Sequence, residues 1–139
     1  MLKFSTIIFA FFLTACMSLP KVEQLPVQAQ ETRLFKVEQA GQASLLSIQF
    51  EKAQWRWVQT DPLGAPIARV VLSKNGWAND GFVMPNNQAR QLFSALAVAL
   101  NPQNPPFKLN ADWKIISNPP HFTITLPDGS LWQIDELEQ

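Results

Sequence analysis

Cysteine and histidine are nearly missing from these 139 residues, which contain only Cys16 and His121. A single cysteine excludes an intramolecular disulfide, and one histidine beside it leaves too few donors for a zinc-type site of three or four ligands. His121 follows Pro119-Pro120 with no second ligand or nucleophile at a recognisable spacing, so it is expected at a strand edge. An excess of either charge is also lacking. Lys plus Arg and Asp plus Glu both number 11, the formal net charge is +0 and the pI is ≈ 6.6. That balance, with no block of like charge, excludes the basic surface that nucleic acid requires and a polybasic membrane patch. There is no Gly-x-Ser-x-Gly elbow, no phosphate-binding glycine loop and no dinucleotide fingerprint. Asp61 and Asp80 are conceivable as an acid–base pair. However, Asp61 precedes Pro62 and Asp128 precedes Gly129, positions that serve turn geometry. No enzymatic activity, no cofactor and no metal are expected.

Apolar residues are plentiful instead: 47% of the chain is hydrophobic, enough to exclude a disordered protein, and 15.7 kDa suits one domain with its own core. The start of the chain is the most specific stretch. Met1-Leu2-Lys3 gives a short basic opening, Phe4 to Leu13 is mostly apolar, and Leu13-Thr14-Ala15-Cys16 follows. A bilayer-spanning helix needs about 20 apolar residues, so this run reads as a secretory signal. Its ending resembles the lipobox of bacterial lipoproteins. The resemblance implies cleavage after Ala15, lipidation of Cys16 with acyl chains such as palmitate, and a periplasm-facing anchor. An ordinary signal peptide with a chance cysteine is the alternative. Met17 and Ser18 lack the aspartate that retains lipoproteins in the inner membrane of enteric bacteria, which favours the outer membrane.

The expected organisation is therefore a signal peptide over 1–15, a lipidated N-terminus and flexible tether over 16–31, and a folded domain over 32–139. Pro20, Pro26 and several glutamines, without periodicity, mark the tether. From Thr32 the pattern is that of strands, at 34–39, 42–51, 54–60, 65–73 and, more briefly, 76–82. Gly41 and Lys74-Asn75-Gly76 mark turns between them. After Pro85 the period changes: Ala89, Leu92, Phe93, Leu96, Ala99 and Leu100 define one helical face, with Asn86 or Asn87 as cap and Asn101-Pro102 as stop. Strands return at 112–117, 121–126 and 131–137. The fold class is mostly β with one main helix, packed across the concave face of a curved antiparallel sheet.

Trp55 and Trp57 lie two apart and share one strand face. The strand then breaks at Asp61-Pro62-Leu63-Gly64, where Pro62 constrains the backbone and Gly64 permits a positive φ. Leu63 thus stands at the crown of a tight turn, a place usually polar, either tucked back onto the domain or held out. Five tryptophans and ten phenylalanines, with Phe4, Phe9, Phe11 and Phe12 set aside as part of the signal, leave a strongly aromatic sheet. Both a filled core and a hollow, acyl-sized cavity fit that composition.

The segment Trp57 to Leu72 resembles the outer-membrane lipoprotein acceptor LolB, whose Asn-Pro-Leu-Gly turn joins two strands. The Asp-Gly-Phe-x-x-Pro-Asn stretch (Asp80 to Asn86) is similar to that of short LolB-like lipoproteins which accompany aryl-polyene pigment biosynthesis clusters. The resemblance implies a LolA/LolB-like incomplete β-barrel, lidded by a helix, whose cavity takes acyl chains. It implies that Leu63 protrudes and helps place cargo in the outer membrane. Candidate cavity residues are Trp55, Trp57, Ile67, Val71, Leu92, Phe93, Leu96, Phe122 and Ile124. The expected function is acceptance or transfer of a lipidated or amphiphilic cargo by hydrophobic burial, with a LolA-like periplasmic carrier as partner. A lipid-anchored envelope scaffold without transfer activity is the rival.

Overall fold

A computed structural model describes residues 19–138. The expected signal peptide and Cys16 lie outside the described residues. Strands β1 (Thr32–Gln39), β2 (Gln42–Phe50), β3 (Trp55–Thr60), β4 (Pro66–Ser73) and β5 (Gly76–Asn79) precede one helix, α1 (Asn87–Leu100). Strands β6 (Lys114–Asn118), β7 (His121–Thr125) and β8 (Leu131–Glu136) follow it. All eight form one antiparallel sheet in the order β5-β4-β3-β2-β1-β8-β7-β6. The sheet is open, with β5 and β6 as its edges, and α1 carries the chain from one edge to the other across the apolar face. A helix with one apolar side has nowhere else to bury it.

The local reasons are plain in the residues. The β1–β2 turn places Ala40 at φ 51° and Gly41 at φ 78°, the two successive positive values of a tight hairpin. Asn86 caps α1, its Oδ1 accepting from the Ala89 N–H at 3.0 Å. Asn101 closes the helix by donating its backbone N–H to the Val98 carbonyl and its side-chain amide to that of Ala97, and Pro102 prevents continuation.

Under the middle of α1 the interior is solid with aromatic side chains. Trp57 stacks on Phe93 with centroids 5.1 Å apart, Trp77 meets Trp57 edge-on at 5.4 Å, and Trp77 stacks on Phe107 at 6.2 Å. The Trp77 indole N–H donates to Ser94 Oγ, which donates in turn to the Arg90 carbonyl of the preceding helical turn. Leu46, Ile48, Leu92, Leu96, Phe122 and Ile124 complete this core.

Three expectations are corrected. Ile67 and Val71 do not face the core; Ala68, Val70 and Leu72 do. The β3–β4 pairing sets Gln59, Trp57 and Trp55 opposite those three, with a register shift between Gln59 and Thr60. One residue of slip exchanges the faces of a strand. The fifth strand ends at Asn79, and residues 80–85 are irregular, with Gly81 at φ 89°.

The third correction concerns the tether. Residues 19–31 lie along the domain as a strap. Val22 forms a β-bridge with Phe107, Glu23 donates its N–H to the Pro106 carbonyl at 2.7 Å, and Gln24 donates its side-chain amide to the Pro105 carbonyl. Gln28 reaches Asn101 Oδ1 at 2.7 Å, while Val22 and Leu25 pack against the core. Prolines cannot donate, yet their carbonyls still need donors. The strap supplies them.

Candidate functional site

The β3–β4 turn is internally braced. Asp61 Oδ1 accepts from the N–H groups of Leu63 and Ala65, both at 2.9 Å. The Asp61 N–H donates to the Ala65 carbonyl, and the Gly64 N–H to that of Asp61. Gly64 adopts φ 86°, a conformation that a side chain would strain. At the crown Leu63 is 95% exposed. A polar network thus spends every local donor on itself and leaves one apolar side chain in water.

Beside this turn opens a cleft of ≈ 580 Å³, within the range of about 300–1,000 Å³ usual for small-ligand sites. Asp61 and Pro62 form part of its wall, so the protruding leucine stands next to the mouth. Val37, Ile67, Ala89 and Trp132 supply apolar surface. The polar surface is amide-rich, from Gln39, Gln42, Gln59, Asn86 and Gln88. Gln59 is buried and donates to Ser44 Oγ at 2.9 Å, while Gln88 donates to Asp128 Oδ2 at 3.0 Å. Asp128 also accepts from the hydroxyl and backbone N–H of Ser130. These bonds, the Ser130 hydroxyl foremost, hold its carboxyl below the usual carboxylate range against a smaller opposing effect of burial. Ser130 Oγ then accepts the Trp132 indole N–H at 2.9 Å, which fixes the ring on the cleft wall.

The expected cavity residues divide sharply. Trp55, Trp57, Leu92, Phe93, Leu96, Phe122 and Ile124 are buried in the packed core and do not line the cleft. Ile67 does line it, and Val71 lies on the opposite side of β4 from the core. Gln59 and Ser44 were missed, although Gln59 continues the inward parity of Trp55 and Trp57. Asp80 is drawn towards Arg56 at 3.0 Å and Arg69 at 3.4 Å, so it makes no pair with Asp61. His121 pairs with Asp135 on the exposed face of β7 and β8. Among the described residues no three His, Cys, Asp or Glu side chains gather as a metal site, and no helix is long and apolar enough to cross a membrane.

What the fold and site define is an open antiparallel sheet closed on one face by a helix, with an amphipathic cleft at one end and a braced apolar turn beside it. The chain matches no protein-family model, no curated protein and no solved structure.

Proposed function

We propose that this chain is a LolB-like, lipid-anchored acceptor at the periplasmic face of the outer membrane, which takes an amphiphilic or lipidated cargo and passes it on by hydrophobic burial. The supporting observation is adjacency: the nearly fully exposed Leu63 stands on a self-braced turn whose Asp61 and Pro62 also wall the cleft. Cargo leaving the cleft meets that leucine at the threshold. Moving an apolar chain between two apolar sites changes free energy little, and each tenfold bias in direction needs only about 1.4 kcal/mol. Burial of one leucine contributes roughly 1.5–3 kcal/mol, which is enough to set such a bias. Cys16 would hold the anchor, and a LolA-like soluble carrier would be the donor.

Transfer of a lipidated cargo into liposomes tests the proposal. Leu63→Glu should reduce transfer by about tenfold or more while leaving the melting temperature unchanged, because the side chain makes no core contact. Equal transfer by this variant and the unaltered chain would remove Leu63 from the mechanism. The packed centre beneath α1 favours the rival, an anchored scaffold. A fluorescent fatty-acid probe discriminates the two, since saturable binding belongs to the acceptor and its absence to the scaffold.

A further inference from the structure

Leu63 is not alone at its end of the sheet. The chain leaving β5 is held by the Asp80 N–H on the Arg69 carbonyl, and six residues later Asn86 is already on the cleft wall. Between them, Gly81-Phe82-Val83-Met84-Pro85 carries two large apolar side chains into solvent: Phe82 is fully exposed and Met84 is 81% exposed. Two separate segments therefore flank one cleft and both end in bare apolar side chains. Isolated exposed residues need no explanation, but clustered ones mark a contact surface.

Charge identifies what they contact. From Pro62 to Ala68 and from Gly81 to Ala89 there is no charged side chain. The neighbouring charged side chains are each held by a local partner. Asp61 accepts two N–H groups of its own turn, Asp80 faces Arg56 and Arg69, and Arg90 donates to Asn79 Oδ1 at 2.6 Å. Apart from Arg90 and Asp61, which keep their charges but are half-buried and tied to neutral partners, the two segments offer a charged protein face or an anionic headgroup nothing to pair with. It suits hydrocarbon beneath uncharged or zwitterionic headgroups, where apolar side chains bury without leaving a charge unsolvated.

We infer that Phe82 and Met84 form, with Leu63, a two-pronged bilayer-contact surface around the cleft mouth, specific for hydrocarbon and indifferent to headgroup charge. This rests on the acceptor reading above, and it adds the 81–85 segment as a second insertion point.

The test is flotation of the chain from Met17 onward, which holds every described residue, with phosphatidylcholine vesicles. The unaltered chain should float. Phe82→Ser and Met84→Ser should each weaken the partition by about tenfold, and the double variant by more than either. Neither added salt nor added phosphatidylglycerol should change the result. Unaltered melting curves are expected, because both side chains lie outside the core. The inference is overturned if the chain does not float with neutral vesicles, if both serine variants float like the parent, or if binding requires anionic lipid and disappears with salt. A fatty-acid probe separates this from the cargo reading. Vesicle binding that survives without probe binding supports the surface and sinks the acceptor; probe binding without vesicle binding does the reverse.

Discussion

Under the middle of α1, Trp57 lies flat on Phe93 and Trp77 meets it edge-on. At the N-terminal end of the same helix, Asn86, Gln88 and Ala89 instead face a cleft whose polar surface is rich in amides. The same two layers are thus welded at one place and parted at another. The difference lies in the side chains offered along β3: Trp55 and Trp57 fill the space, and Gln59, one step further along the same face, does not. The packed rings lie where the aromatic residues meet, and the open cleft begins where the glutamines do. A protein that must hold and release a ligand needs both, kept apart.

The sharpest way to break the contrast is to hollow the welded part. Trp57→Ala should cost about 3–5 kcal/mol, read as a shift in the urea midpoint, whereas a cost below about 1 kcal/mol would show that the centre is loosely filled. Next comes the converse change, filling the open part. Ala43 is exposed and lines the cleft. Ala43→Trp should weaken fatty-acid probe binding by about tenfold with little change in unfolding; undiminished binding would move the ligand elsewhere.

The smallest expected effect concerns the brace behind the cleft. The Asp128 carboxyl titrates below its ordinary value because Ser130 and Gln88 donate to its ionised form. A carboxyl depressed by folding stabilises the native state above its unfolded pKa, and that contribution fades as pH falls through the folded value. Asp128→Asn should therefore lower stability at neutral pH, by less than about 1 kcal/mol at so exposed a site. The parent and variant should converge in acid. A gap that widens as pH falls would contradict the assignment.

Much of this architecture is legible in the residues. Asn86, Asn101 and Pro102 announce the ends of the helix, and the strand pattern from Thr32 to Glu136 carries the element order. The face of β4 is harder to read, because Ile67 and Val71 are as apolar as Val70 and Leu72. Arg69, which shares parity with Ile67 and Val71, was the available clue, since a charged residue turns its own face to water. The strap was not legible: prolines and glutamines over 19–31 have the composition of a linker. What docks them is the set of unpaired carbonyls at Pro105 and Pro106, far along the chain. The cleft was hidden for a related reason. Sequence ranks residues by greasiness, and most of the greasiest occupy the core, leaving the opening to a mixture of amides and a few apolar side chains.

If Cys16 carries the proposed anchor, the docked strap also decides which way the domain faces. Leu19 to Val22 lie against Lys74, Asn75 and Gly76, the turn at the far end of β4 from Leu63. At about 3.3 Å per residue, β4 alone separates those ends by roughly 25 Å. Leu19 follows Cys16 by only 3 residues, a span of at most about 11 Å. For a chain held by fat at Cys16, the leucine-bearing end looks outward, across the aqueous gap, for as long as the leash stays stowed. Paying out residues 19–31 would add about 45 Å of slack at full extension, enough for a molecule so anchored to somersault towards the proposed membrane.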